Sequence, residues 1–322
     1  MTKRIRAYIY LLTTAVIWGI ASVVIKHTLS FIKPFSFLFW RFLLTCLIMI
    51  PLLYAFRKKQ LFSLSPFKIF KLFILGFIGT TLSLGLLFIG YQYTTAIDGV
   101  LIDSVAPILV IIGGAIFLKE KVTKIERLGA GLAFFGSITT IIQPFLEGRT
   151  LAYKNIYGNF LVFLSTFTWA VYCLLVRKIE AKDKIKTDPF VVTTITFISG
   201  LITIIPFFLW ESLSLPVGLP ALGGQAGIYP SIHLSINPSA IPGILFMVIF
   251  SSVIAYFTYN AGYALIEASE ATIFDYLRPI FTAPLAVWWL KEQITISFLT
   301  GALLIALGVF LTEYKPKKIP NS

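Results

Sequence analysis

The chain has 322 residues, 57% of them hydrophobic and 13% charged, against ~25% charged in an ordinary soluble domain. Its 27 Lys+Arg outnumber 14 Asp+Glu, for a formal charge of +13. So much apolar mass excludes a disordered chain and argues against a cytosolic enzyme. At about 20 residues per helical crossing, it suffices for ten passes through a bilayer.

In chain order, the apolar runs predict helical spans at 8–25, 34–56, 70–91, 99–118, 128–145, 157–176, 189–210, 241–265, 271–290 and 297–314. They must be helices because lipid offers no partner to a bare backbone N–H or C=O. The first run follows a basic start but is too long for a signal peptide, so it reads as a retained span. Cys46 and Cys173 fall inside spans and form no disulfide framework. The connection 211–240 carries Pro216, Pro220, Pro230, Pro238 and also His233. It predicts an irregular external loop.

Ten spans put both termini on one side. That side collects 20 of the basic residues, against five on the other, Lys26, Lys33, Arg149, Lys154 and Lys291. The positive-inside rule predicts cytoplasmic termini. The positive charge therefore reports orientation, and no nucleic-acid partner is expected.

The chain also repeats itself. Shifted by 172 positions without a gap, 90–136 meets 262–308 with 14 identities in 47 positions. Asp103 meets Asp275, Pro107 meets Pro279, Tyr91 meets Tyr263, and Leu118-Lys119-Glu120 meets Leu290-Lys291-Glu292. At a shift of 151, Thr14, Trp18 and Ser22 meet Ser165, Trp169 and Cys173. Two halves of five spans, 1–150 and 151–322, follow. Five is odd, so the second half enters the membrane from the opposite side. The expected fold is an all-α polytopic membrane protein of ten transmembrane helices in two inverted five-helix repeats, a plan suited to alternating access.

The doubled Leu-Lys-Glu-(Lys/Gln)-(Val/Ile)-Thr turn, each followed by Gly-Ala-x-Leu-x-x-x-Gly, resembles the EamA family of the drug/metabolite transporter superfamily. The Trp of spans one and six and the Pro of spans four and nine fit as well. The resemblance covers nearly the whole chain. It implies a ten-helix carrier of the bacterial inner membrane, often an exporter of amino acids or other small metabolites. It also implies a central cavity among spans one, three, four, six, eight and nine, with spans five and ten peripheral.

Ionisable residues inside spans are expensive and mark function. Here they are Arg41, Asp103, Asp275 and Arg278. Asp103 and Asp275 are expected at equivalent depths from opposite sides, as gates that exchange protons. Arg278 lies three residues beyond Asp275, on the same helical face. The alternatives are a fixed ion pair, or carboxylates that cap kinks at Pro107 and Pro279, where each Pro removes a backbone hydrogen bond. Arg41 serves either the solute or the locking of the bundle. Cavity walls are expected from Trp18 and Ser22 in span one, Trp169 and Tyr172 in span six, Tyr91 in span three, and Tyr256, Asn260 and Tyr263 in span eight. Aromatic rings offer apolar contact and cation–π binding of an ammonium. Packing between helices is the competing role for each. Gly129/Ala133 and Ala302/Ala306 are small-xxx-small pairs that bring spans five and ten together.

These observations favour a secondary transporter of a small solute, an amino acid or related metabolite, moved outward and coupled to protons. A monomer in the lipid bilayer suffices, with no metal or cofactor. An intramembrane enzyme is disfavoured because His27 and His233 lie outside the spans and no nucleophile–base motif falls within one. A channel would show a ring of like charges or a carbonyl filter. A nucleotide-sugar or phosphate exchanger would want more cavity cations than Arg41 and Arg278.

Overall fold

The structure is a computed structural model that describes residues 2–117, 123–148, 152–180, 187–213, 236–263, 265–266 and 272–313. Among these residues there is no strand, and ten helical rods follow one another. They are α1 (Lys3–Thr28), α2 (Pro34–Ser63), α3 (Pro66–Tyr93), α4 (Ala96–Phe117), α5 (Lys124–Leu146), α6 (Ala152–Glu180), α7 (Pro189–Leu213), α8 (Pro238–Gly262), α9 (272–290) and α10 (Ile296–Glu313). Seven of them, α1–α4 and α6–α8, are long and apolar enough to cross a membrane; α10 adds a shorter apolar helix, Phe298–Leu311. Of the expected loop 211–240, Glu211–Leu213 completes α7 and Pro238–Ala240 forms a 3-10 turn at the head of α8. Residues 214–235, with His233, lie outside the described residues, as do Glu120 and Lys121.

The rods start where the chain offers a cap. Thr2 accepts from the Ile5 N–H, Ser65 from Lys68 and Thr95 from Asp98. Two N-termini receive a carboxylate from another rod instead. Glu211 at the end of α7 accepts from Phe35 N (3.1 Å) and Ser36 N (2.6 Å) at the head of α2. Glu292, just after α9, accepts from Ala96 N (2.7 Å) and Ile97 N (3.0 Å) at the head of α4. Each places negative charge against the positive end of a helix dipole.

Four rods are not plain α-helix. π-helical segments interrupt α3 at Phe77–Leu82 and α8 at Met247–Ile254, and a third ends α9 at Ala286–Leu290. The kinks expected at Pro107 and Pro279 are breaks. The first piece of α4 ends at Asp103 and a new helix starts at Ala106, with Pro107 in its first turn. The head of α9 is a 3-10 stretch, Thr272–Leu277, and Pro279 sits in the first turn of Arg278–Leu285. A proline there forfeits an N–H that had no helical partner anyway.

The bundle keeps polar side chains within a mainly apolar interior and turns apolar side chains outward, as lipid requires. Arg41, Thr45, Thr80, Ser83 and Ser165 are buried, while Leu47, Phe135 and Phe310 are more than 60% exposed. The dominant pairings are α1 with α8, α3 with α6, α2 with α7 and α5 with α10. α5 and α10 approach through glycines: a Cβ on Gly136 would stand 2.9 Å from the Gly301 carbonyl, and one on Gly308 would stand 2.5 Å from Ala133 N. The expected Gly129/Ala133 face is used. On α10 the contact face is Gly301, Ile305 and Gly308, because Ala306 points outward.

Candidate functional site

Where α1, α2, α3, α4, α6, α8 and α9 converge, a cavity of about 90 Å³ is lined by Trp18, Ser22, Arg41, Tyr91, Trp169 and Tyr256, together with Asp103 and Arg278. A larger chamber of about 270 Å³ lies beside it, and Asp103, Trp169, Tyr256 and Arg278 border both. The chamber adds Pro107, Tyr172, Asn260 and Asp275 and runs past Val176, Thr187 and Pro189. These last residues lie at the end of the bundle where Arg57 pairs with Asp188 at 2.7 Å and where Tyr8 meets Phe274. At the opposite end three clasps tie rods together. Lys26 Nζ donates to the Tyr91 carbonyl (2.8 Å), Glu211 holds α2, and Glu292 holds α4.

Arg278 is the centre of charge. Its Nη2 lies 2.5 Å from Asp275 Oδ1 and its Nη1 lies 2.9 Å from Asp103 Oδ2. The i,i+3 spacing to Asp275 was legible; the contact with Asp103, from the other half of the chain, was not. The two carboxylates thus share one guanidinium instead of standing apart as separate gates. Thr166 Oγ1 donates to the other Asp103 oxygen at 3.3 Å. The Arg278 guanidinium also lies 4.6 Å above the Trp18 ring, a cation–π contact that fixes both. α9 reaches α1 this closely because residue 19 is Gly. A Cβ there would come within 2.8 Å of the Arg278 carbonyl, while Thr282 Oγ1 donates to the Gly19 carbonyl at 2.7 Å.

The aromatic wall is continuous. Trp18 packs edge-on against Tyr256 (5.4 Å between centroids), and Tyr256 meets Trp169 at 6.5 Å and Phe197 at 5.2 Å. Trp169 lies against Tyr172 at 5.1 Å, and the Tyr172 ring rests on the Cβ-free face of Gly79 within the π segment of α3. Asn260 donates to Thr193 Oγ1 at 2.9 Å, tying α8 to α7. The helix runs one residue past Gly262 to Tyr263, whose side chain lies outside the described residues. Pro279 does not border either cavity. Thr14, in the same stripe as Trp18 and Ser22, packs on Thr258 and the Ala255 carbonyl instead.

Arg41 is 2% exposed. Its Nε donates to Ser252 Oγ (2.9 Å) and its Nη2 to Ser251 Oγ (3.4 Å). Consecutive serines can serve one guanidinium because they stand in the wide turn of the α8 π segment, a feature common at functional sites. The Ser251 carbonyl accepts from Trp18 Nε1 at 3.3 Å. Sequence reasoning missed Ser251, Ser252 and Tyr259, whose ring lies 5.1 Å from Trp18. Tyr259 was within reach, being three residues from Tyr256 on the same face. The two serines were visible only as a polar pair in an apolar run.

The EamA-like transporter family matches residues 5–142 and again 156–314. The chain belongs to that family. It is 30% identical to an uncharacterized transporter, YyaM, of Bacillus subtilis, over 99% of this chain and 97% of the relative. It is 25% identical to a probable amino-acid metabolite efflux pump of Salmonella typhimurium, covering 94% and 93% of the two chains. A solved crystal structure superposes with a TM-score of 0.62 at 16% identity, covering 96% of each chain, which shows a shared fold. The chain is thus a multi-pass membrane transporter.

Proposed function

We propose that this transporter is a secondary carrier exporting an amino acid or a related small metabolite across the bacterial inner membrane by alternating access, coupled to protons. The observation that carries the reading is the Asp103–Arg278–Asp275 cluster beside the two cavities, ringed by Trp18, Trp169 and Tyr256. A carboxylate facing such a chamber binds either Arg278 or a proton, and a solute that draws Arg278 away switches between the two. The kinship with a relative described as a probable amino-acid metabolite efflux pump supports the solute class.

The two halves, 1–150 and 151–322, act as inverted repeats. Exchanging them turns the α1–α8 pairing into α6–α3 and leaves α2–α7 and α5–α10 unchanged, in keeping with the observed packing. The π segments of α3 and α8 also occupy corresponding places. Both termini lie in the cytoplasm by the balance of loop charges. The larger chamber then faces inward and the clasps at Lys26, Glu211 and Glu292 close the outer side. The protein works as a monomeric carrier and performs no covalent chemistry.

Reconstituted in liposomes, the purified chain is expected to exchange labelled amino acid for unlabelled without ATP. Asp103→Asn and Asp275→Asn are expected to abolish accumulation driven by a pH gradient while leaving some exchange. Full gradient-driven accumulation in both variants would remove the proton role. Conversion of the solute into a new compound would remove the carrier reading.

A further inference from the structure

The charges around the smaller cavity are not distributed evenly. On one side Asp103 and Asp275 share the Arg278 guanidinium, which gathers two carboxyl groups at that pole. Arg41, bordering the same cavity, carries a positive charge with no carboxylate in ion-pair contact among the described residues. Its Nη1 is buried without a hydrogen-bond partner. Two serine hydroxyls and the Phe88 ring, whose centroid lies 5.9 Å below the guanidinium, are a poor return for taking a guanidinium out of water. Trp18 separates the two poles, with its Nε1 tied to Ser251, the serine that Arg41 also contacts, and its face under Arg278.

We infer that Arg41 is the carboxylate subsite of the cavity, and that the solute is a zwitterion whose ammonium group turns toward Asp103. This rests on the carrier reading above and gives that solute its chemical class. A guanidinium with a free N–H matches a carboxylate in shape and charge. The opposite pole offers Asp103 and the Trp18 face to a cation. A zwitterion complements both poles without adding net charge. A simple anion leaves the acidic pole unanswered, and a simple amine leaves Arg41 unanswered. The aromatic wall of Trp169 and Tyr256 suits an apolar or aromatic side chain.

The test is binding of four probes to the purified full-length chain: L-phenylalanine, L-phenylalaninamide, phenethylamine and phenylacetate. Phenylalanine is expected to bind roughly tenfold or more tightly than its amide, the loss expected when a charged hydrogen bond is removed. R41Q is expected to erase that difference without weakening phenethylamine, and R41K to retain part of it. The acid–amide comparison in the unaltered protein needs no variant and survives any folding defect in R41Q. Equal affinity for acid and amide, a difference that persists in R41Q, or no binding by any probe overturns the inference. Phenylalanine carried across liposomes with Arg41 indifferent to the carboxylate overturns the subsite and leaves the carrier. Binding through Arg41 with no passage of any bound probe leaves the subsite and overturns the carrier.

Discussion

Arg278 serves three partners at once, and its removal should cost more than the loss of any one of them. Arg278→Gln leaves Asp103 and Asp275 without their cation, and stripping one partner from a buried ion pair costs about 3–5 kcal/mol. We expect a marked drop in thermal midpoint and loss of transport. The double variant Asp103→Asn/Arg278→Gln returns the cluster to its original net charge and should recover part of the midpoint but none of the transport. A double variant no more stable than Arg278→Gln alone would show that the pairing contributes little. Trp18 carries a similar double duty. Trp18→Phe keeps a ring under Arg278 but frees the Ser251 carbonyl. Such a variant should fold and bind its solute more weakly.

At the scale of helices, glycines decide which rods touch and the π segments decide what they present. Gly136 and Gly308 permit the α5–α10 contact, and neither helix lines the two cavities. Leucine at either position overpacks that seam, at about 1–3 kcal/mol, and should lower the melting temperature while leaving solute affinity intact in the folded fraction. Gly19→Leu presses on the Arg278 carbonyl and Phe281 Cβ, so it should lower both. Affinity that survives Gly19→Leu unchanged would mean that α9 can shift without disturbing Arg278. The π segment of α8 could not be anticipated from hydropathy, since its residues, MVIFSSVI, read as an ordinary apolar helix. Nor could the 3-10 head of α9. Prolines 107 and 279 announced irregularity, and packing chose a full break over a kink.

Across the whole molecule, the clasps lie at one end and the chamber runs toward the other. Glu292 supplies two hydrogen bonds to the head of α4, a cap worth roughly 0.5–2 kcal/mol. Glu292→Ala should therefore shift the population toward opening at the clasped end. With Cys46 and Cys173 replaced by Ala, Ser22→Cys is expected to react faster with an impermeant thiol reagent applied from the outer face once Glu292 is Ala. A rate independent of Glu292 would show that this clasp does not hold the closure. Thr187→Cys should react from the side that holds the termini, and labelling of inverted vesicles tests the proposed orientation directly. The smaller cavity, lined by polar groups from both halves, is what such a movement would expose by turns.

The sequence by itself determined the all-helical membrane bundle, most of its rods, its family and the short set of polar residues worth attention. Hydropathy is a local property, summed along about twenty residues at a time, and a charge inside such a stretch stands out whatever surrounds it. Only the tertiary structure decided which charges meet. Arg278 reaches Asp103 across 175 positions, and Arg41 finds Ser251 and Ser252 rather than a carboxylate. Those partnerships depend on the rotation and approach of whole helices, set by Gly19 on α1 and by the wide turn in α8, where one residue of offset turns a side chain from the cavity toward lipid. A single helix does not encode that offset; the packed bundle does.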